Sequence, residues 1–274
     1  MFSGLLSIPQ AVLLGIVEGI TEFLPVSSTG HLLVVGELIG FGTGSSSTAA
    51  DTYSIAIQFG AILAVLLLYR IRVWSAMKGL VGADADGRAF LIRLIVAFLP
   101  AAFLGVLAGD AMKSALFGPV PVTIAWVVGG VFLLRWKPTV GSVSLHEMPI
   151  RAALIIGCAQ SIALWPGVSR SLVTLVAALA VGLSMSSAIE FSFLLGLITL
   201  SSATALDLTK HGSELVDKFG ILAPAIGLVC AFITAVIAVK WMVGYLESHS
   251  LRVFGWYRLA IGAVSVVLLA TNVL

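Results

Sequence analysis

The feature that most constrains this chain is a series of apolar runs long enough to cross a bilayer. A helix needs about 20 mostly apolar residues to span the hydrocarbon core of a membrane. Six runs meet or approach that length, and charged side chains are rare within them. They are 53–69, 90–109, 120–135, 187–206, 219–243 and 254–273. The pattern predicts an all-α polytopic membrane protein.

Composition agrees with a membrane setting. Apolar residues make up 59% of the chain and charged residues 10%, whereas charged residues form about 25% of an ordinary globular domain. Because these few charges cannot cover a water-facing surface, we expect membrane lipid to surround most of the chain. The net charge of +2 is too small to suggest a nucleic-acid partner.

Two further apolar regions, 5–41 and 150–182, are each interrupted by a polar break that contains proline. The first break runs from Leu24 to His31, and the second from Trp165 to Ser171. Irregular backbone is tolerated at membrane depth only where protein or a wet cavity surrounds it. We therefore predict that each region forms a re-entrant helical hairpin.

The two broken regions resemble each other in sequence. A gapless offset of 142 residues places several identical or similar residues in register. The matched pairs include Gly15 with Gly157, Glu18 with Gln160, and Ser27 with Ser169. This similarity indicates an internal duplication.

The duplication predicts two inverted-topology repeats. Each half holds one hairpin, which returns to its starting side, and three transmembrane helices, an odd number. The second half must then lie upside down relative to the first, with the breaks meeting at the site. We expect a single membrane domain, 1–274, with repeat one at about 1–135 and repeat two at about 150–274.

The loops predict the orientation of the chain. Positive residues are enriched on the cytoplasmic side of membrane proteins. One set of loops is richer in lysine and arginine, and it comprises Arg70, Arg72, Lys78, Arg88, Arg135, Lys137, Arg151 and Arg252. The opposite set holds Lys113, Lys210 and Lys218. We expect both termini on the outer side.

Glu18 and Glu22 are two carboxylates inside the first broken region. Four residues apart, they share one face of a helix, and in an apolar segment their charges are costly unless compensated. A divalent cation, Mg²⁺ or Ca²⁺, would compensate both. A proton shared between the two carboxyl groups would do so as well, and the sequence leaves both solutions open.

Ser27, Ser28, Thr29 and His31 follow Pro25 in the first break. If a half-helix begins near Ser28, its free N–H groups form an anion site. A hydroxyl within one helical turn of an imidazole predicts an activated nucleophile with a proton-transfer partner. The alternative role for either serine is a simple helix N-cap.

Arg170 lies in the second break, between Ser169 and Ser171 and shortly before Thr174. A guanidinium binds phosphate through two parallel hydrogen bonds and keeps its charge. Snorkelling toward lipid headgroups is the alternative for a single arginine. The preceding Pro166-Gly167 favours a buried break, so we predict that Arg170 binds phosphate.

These breaks resemble the signatures of a known family. The run Glu18-Gly-Ile-Thr-Glu-Phe-Leu-Pro-Val-Ser-Ser-Thr-Gly-His31 resembles the first signature of bacterial undecaprenyl-pyrophosphate phosphatases, the bacitracin-resistance family. Pro166-Gly-Val-Ser-Arg-Ser171 resembles the second. Similar runs at 58–65, 190–195 and 203–208 extend the resemblance over nearly the whole chain.

The resemblance implies an enzyme of the bacterial plasma membrane whose site opens outward. It would hydrolyse undecaprenyl diphosphate to undecaprenyl phosphate, recycle this lipid carrier of cell-wall synthesis and give bacitracin resistance. Glu18 and Glu22 would hold a divalent cation or transfer protons, Ser28 would be the nucleophile, and His31 its proton-transfer partner. Arg170 would be the phosphate clamp. Supporting substrate-binding donors would be Ser27, Thr29, Ser169, Ser171 and Thr174. A homodimer is a possible assembly that the sequence leaves open.

Three alternatives remain, and the chain departs from the family pattern after Ser171. Attack by a metal-bound water could replace attack by Ser28. A flippase or transporter of the polyprenyl phosphate lipid is the main rival function, because inverted repeats and broken helices are also transporter features. The phosphatidic-acid-phosphatase type is disfavoured, because its earlier Lys/Arg motif and the His after its Arg are absent. Leu172 stands where the family usually has glycine, and we expect it to narrow the approach to the phosphate.

Overall fold

The computed structural model describes residues 6–41, 47–137 and 141–274. Within these ranges the chain forms eleven α-helices and no β-strand, which confirms the all-α prediction. The helices are α1 Ile8–Thr21, α2 Ser28–Leu38, α3 Ser47–Leu68, α4 Arg70–Leu80, α5 Ala85–Leu116, α6 Pro119–Arg135, α7 Ile150–Gln160, α8 Arg170–Ala180, α9 Met185–Phe219, α10 Leu222–Leu246 and α11 Arg252–Ala270.

Five of the described helices are long and apolar enough to cross a membrane. Their qualifying segments are Ala49–Leu68, Ala85–Gly109, Met185–Phe219, Leu222–Leu246 and Arg252–Ala270. Each coincides with one of the six predicted spans, and the chain is a multi-pass membrane protein. The remaining predicted span, 120–135, corresponds to α6. This helix has 17 residues and falls short of the roughly 20 needed for an untilted crossing.

Two helices are longer than the sequence predicted. Helix α5 has 32 residues and α9 has 35, which at 1.5 Å per residue gives about 50 Å, beyond the roughly 30 Å of hydrocarbon. Their polar ends, unlike the apolar part of α5 that holds Pro100, contain no proline and continue as helix. Helix α9 stops only at Gly220, where φ is 66°. Helix α4, which carries Arg70, Arg72 and Lys78, was not predicted.

Both broken regions form two short helices around an irregular turn. In the first, α1 begins with a capping box between Ser7 and Gln10 and ends near Thr21, and α2 starts at Ser28. In the second, α7 runs into a 3₁₀ turn at Ser161–Leu164 before α8. Leu5, the first residue of the predicted hairpin, lies outside the described residues.

The matched serines of the two breaks share an unusual backbone conformation. Ser27 has φ 75° and ψ 100°, and Ser169 has φ 76° and ψ 111°. Positive φ is uncommon for residues other than glycine, and such strain concentrates at functional sites. Each strained serine directly precedes a helix, α2 or α8, so both breaks present a helix N-terminus.

The helices of the two halves pack in an exchanged pattern. Helix α1 packs against α10, and its counterpart α7 packs against α5, while α3 pairs with α9 and α6 with α11. A Cβ on Gly15 would lie 2.3 Å from the carbonyl oxygen of Gly227, and one on Gly157 would lie 2.3 Å from that of Ala97. The matched glycines therefore let each hairpin approach the opposite half closely, as small residues do between membrane helices.

Candidate active site

The two breaks meet inside the helical bundle. The Nη2 atom of Arg170 donates a hydrogen bond to Oε1 of Glu22 over 2.8 Å, and both side chains are largely buried. The hydroxyl of Ser171 donates to the carbonyl oxygen of Leu24 over 2.9 Å. Glutamate and arginine thus form a buried ion pair across the two halves of the chain.

Glu22 is the centre of the polar cluster. Its Oε2 atom accepts a hydrogen bond from the Ser28 hydroxyl and another from Nε2 of Gln58 at 3.3 Å. Both Glu22 and Ser28 are buried. A carboxylate that holds a serine proton can act as its general base, so Glu22 occupies the place that the sequence predicted for His31.

His31 lies beside the cluster, and its ring nitrogens contact groups other than the Ser28 hydroxyl. Its Nδ1 atom is 2.6 Å from the carbonyl oxygen of Ser27, and its Nε2 atom is 2.8 Å from the hydroxyl of Tyr257. Both ring nitrogens are therefore occupied by groups other than the predicted nucleophile. In this arrangement His31 holds the strained Ser27 turn and links it to α11.

Helix geometry explains why Ser28 faces Glu22. Helix α2 begins at Ser28, in agreement with the predicted start. Side chains on a helix lean toward its N-terminus, so the first residue points back into the break, where Glu22 ends α1. The side chain of His31 leans the same way and reaches the carbonyl of the residue four positions earlier.

Glu18 is the uncompensated carboxylate of the site. It is 1% exposed, and neither of its carboxylate oxygens has a hydrogen-bond partner among the residues described. Glu22, Gln58 and Arg170 are among its polar neighbours. An unpaired buried carboxylate is costly, so this position calls for a cation or a proton.

The donor set fits a hard divalent cation that shares its coordination with a substrate. Over the described part of the chain, no three His, Cys, Asp or Glu side chains cluster as a metal site. Mg²⁺ commonly needs only one or two carboxylates, with substrate phosphate oxygens and water completing its shell. Glu18, with Glu22 beside it, satisfies that requirement.

Arg170 is held from several directions. Besides its bond to Glu22, its Nη1 atom donates to the carbonyl oxygen of Ser192 over 3.3 Å, and the guanidinium lies 5.2 Å from the ring centre of Phe23. Gly196 makes room for it, because a Cβ there would sit 2.0 Å from Nη1. Its Nε atom has no partner among the described residues.

The predicted supporting donors divide into two groups. Ser27, Thr29 and Ser169 line a cavity beside Arg170. Ser171 and Thr174 do not, since the Ser171 hydroxyl is bonded to the first break, and that of Thr174 lies 2.6 Å from the Ser192 hydroxyl and donates to the carbonyl oxygen of Arg170. These two buried hydroxyls hold the second break in place.

Two cavities adjoin Ser28. The narrow cavity, about 170 Å³, lies between the breaks and is lined by Glu22, Gln160, Arg170 and Thr199 among others. The wide cavity, about 600 Å³, extends between α2, α3 and the start of α6. Three residues line both cavities: Ser28, Thr29 and Gln58.

Leu172 lines neither cavity. Its side chain is 5% exposed and belongs to the apolar core. The expectation that it narrows the approach to the phosphate is therefore wrong. Gly196, by contrast, packs directly against the Arg170 guanidinium.

Arg258 is the main structural residue whose role the sequence left open between pairing and snorkelling. It is fully buried on α11, and its guanidinium donates to three backbone carbonyls. The distances are 3.3 Å to Pro25, 2.8 Å to Ala125 and 2.8 Å to Gly167. Pro25 and Gly167 are the residues that the 142-residue offset pairs, so one side chain ties the two breaks together. The available signal was an arginine within an apolar run.

Gln58 and Glu190, the first residues of the runs 58–65 and 190–195, lie in different surroundings. Gln58 joins the site through Glu22, whereas Glu190 accepts a 2.7 Å ion-paired hydrogen bond from Arg72 away from both cavities. Arg93, another intramembrane charge in the sequence, donates to the loop carbonyl oxygens of Met148 and His146.

Known proteins are similar to this sequence over most of its length. The family model described as bacitracin resistance protein BacA matches residues 11–264. A protein of Sorangium cellulosum named undecaprenyl-diphosphatase is 44% identical over 93% of this chain and 84% of its own length. Proteins of the same name from Nitrosomonas europaea and Rhodopseudomonas palustris are 43% and 42% identical, over 93% and 95% of this chain and 92% and 97% of their own lengths. The chain belongs to the BacA bacitracin-resistance family.

Proposed function

We propose that this protein hydrolyses undecaprenyl diphosphate to undecaprenyl phosphate and inorganic phosphate, which recycles the lipid carrier of cell-wall synthesis and gives bacitracin resistance. The observation that carries the proposal is the buried chain of contacts from Ser28 to Glu22 to Arg170. These contacts bring a hydroxyl, a carboxylate and a guanidinium into one cluster. The relatives named undecaprenyl-diphosphatase support the choice of substrate.

The chemistry begins with the hydroxyl of Ser28. Glu22 accepts its proton while Oγ attacks the terminal phosphorus, and the bond from that phosphorus to the bridging oxygen breaks. Undecaprenyl phosphate leaves as an anion. Water then attacks the phosphoserine, Glu22 returns the proton to Ser28, and inorganic phosphate is released. In the alternative route, water attacks the diphosphate directly and Ser28 only orients it.

Charge that develops on the phosphoryl oxygens is stabilised from both breaks. Arg170 supplies a guanidinium on one side. On the other, the first N–H groups of α2 point into the break, and the Ser27 side chain does not cap them. Preorganised donors in a water-poor site are the largest contributors to many enzymatic rate enhancements. Ser27, Thr29 and Ser169 complete the lining, and His31 maintains the turn.

A divalent cation, Mg²⁺ or Ca²⁺, would be held by Glu18 together with Glu22. When bound, it would neutralise part of the charge of the diphosphate. Glu18 is suited to this role because its two oxygens have no other hydrogen-bond partner among the described residues. Glu22 contributes less to the cation, since Arg170 and Ser28 already occupy its oxygens.

We also infer that the chain consists of two inverted repeats in the bacterial plasma membrane, with both termini outside. The exchanged packing of α1 on α10 and α7 on α5 supports the repeats, and so do the matched strained serines. The uneven distribution of arginine and lysine supports the orientation, although the side chain of Lys113 lies outside the described residues. The wide cavity, beside the end of α2, would then open outward.

Phosphate release in detergent tests the proposed function. Purified protein mixed with undecaprenyl diphosphate should release inorganic phosphate, chelation should abolish the release, and Mg²⁺ or Ca²⁺ should restore it. A transporter needs two compartments and would release none. Absence of phosphate release from folded protein supplied with either cation would overturn the proposal.

A further inference from the structure

Gln160 is a buried amide that the proposed chemistry does not use. It ends α7, is 1% exposed and lines the narrow cavity. Its Oε1 atom accepts a 3.4 Å hydrogen bond from the hydroxyl of Thr199, but its Nε2 atom has no partner among the described residues. A buried donor without an acceptor is destabilising, so the side chain is suited to a ligand that supplies one.

A second donor in the same cavity lacks an acceptor. The Nε atom of Arg170 is buried and unpaired within the described ranges. Two unpaired donors that line one small cavity match a compact anion with several oxygens. A phosphate group has that character, and Arg and amide donors are common phosphate ligands.

The opposite side of Ser28 has the opposite character. Glu18, which the 142-residue offset pairs with Gln160, lines the wide cavity with two unpaired acceptor oxygens. Both cavities have apolar walls, such as Leu32 and Leu33 in the wide cavity and Leu164 and Leu200 in the narrow one. The wide cavity, at about 600 Å³ against about 170 Å³, has room for a hydrocarbon chain, and its unpaired acceptors suit a cation. The unpaired donors of the narrow cavity suit a free phosphate group.

From this asymmetry we infer that Gln160 and Arg170 form the subsite for the terminal phosphate, and that the substrate lies across Ser28 with its prenyl chain in the wide cavity. The inference rests on the proposed function and deepens it. The terminal phosphate enters the narrow cavity, and the phosphate that stays on the lipid lies on the Glu18 side. Inorganic phosphate is then formed in the narrow cavity, beside Gln160.

Product inhibition of phosphate release tests this orientation. Inorganic phosphate and undecaprenyl phosphate are each titrated as inhibitors of the wild type, Gln160→Met and Gln160→Glu. Loss of one hydrogen bond to a charged group should raise the inhibition constant of inorganic phosphate about tenfold in Gln160→Met. Gln160→Glu should raise it further by charge repulsion. The inhibition constant of undecaprenyl phosphate should stay unchanged in Gln160→Met.

A matched control is Gln10→Met, which makes the same change in a glutamine at the start of α1, outside both cavities. Both inhibition constants should remain at their wild-type values in this variant. The inference is wrong if neither Gln160 variant weakens phosphate inhibition, or if both products lose affinity equally. These outcomes differ from failure of the proposed function, in which the wild type itself releases no phosphate.

Discussion

Replacing Arg170 with alanine is expected to lower kcat for phosphate release by about 10²–10³-fold, the usual effect of removing one preorganised donor from a transition state. The guanidinium is the cationic group that the second break brings to Glu22. Its removal leaves Glu22 without its ion-pair partner and the phosphoryl group without its clamp. Arg170→Lys keeps the charge but loses the two-pronged geometry, so its kcat should be intermediate.

The guanidinium of Arg170 can also be displaced without changing Arg170 itself. In Gly196→Ala the new Cβ would sit 2.0 Å from Nη1 of Arg170, so the guanidinium has to move, and misplacement by about 1 Å can lower kcat about 10²-fold. Gly244→Ala is the matched control, because a Cβ there meets nothing within 4 Å. Equal activity of the two alanine variants would contradict the assigned position of Arg170.

Replacing Arg258 with methionine is expected to destabilise the protein and to lower its activity together. The change leaves the carbonyl groups of Pro25, Ala125 and Gly167 without their charged donor. Because hydrogen bonds to charged groups contribute about 1.5–3 kcal/mol each and these share one side chain, we expect a loss of about 2–4 kcal/mol. Thermal unfolding in detergent and the rate of phosphate release measure the two effects.

The controls for Arg258 separate its position from its charge. Arg258→Lys keeps the charge and part of the hydrogen bonding, so it should recover some of both properties. Arg252→Met removes an exposed arginine from the same helix and should leave both near the wild type. If Arg258→Met has the same unfolding temperature and the same rate of phosphate release as Arg252→Met, Arg258 does not hold the breaks together.

The sequence predicted much of the architecture because membrane helices leave strong local signals. Apolar runs give the spans, and prolines among serines mark the breaks. The start of α2 at Ser28 follows from the same local pattern. The internal similarity of the two broken regions predicted that the breaks meet, and so predicted that Glu22 and Arg170 lie in one site.

The contacts within the site depended on information that the local sequence lacks. Residue spacing alone put His31 within reach of Ser28. Because side chains lean toward the helix N-terminus, however, the Ser28 hydroxyl points back to Glu22 and donates its hydrogen bond there. Arg258 reaches carbonyl groups that lie 91 to 233 residues away in the chain. Such partners depend on how the helices cross, and residue spacing within one helix does not report that.

Single-turnover hydrolysis by Ser28→Ala is the most direct test of the account. The variant is purified in detergent and mixed with undecaprenyl diphosphate that is labelled in its terminal phosphate, with protein in excess over lipid. Release of the label is then followed with time. Loss of the Glu22-bound hydroxyl is expected to slow release by at least about 10³-fold while the protein stays folded, as for other serine nucleophiles. Release at the wild-type rate from folded Ser28→Ala would contradict the central claim that Ser28 carries the reaction.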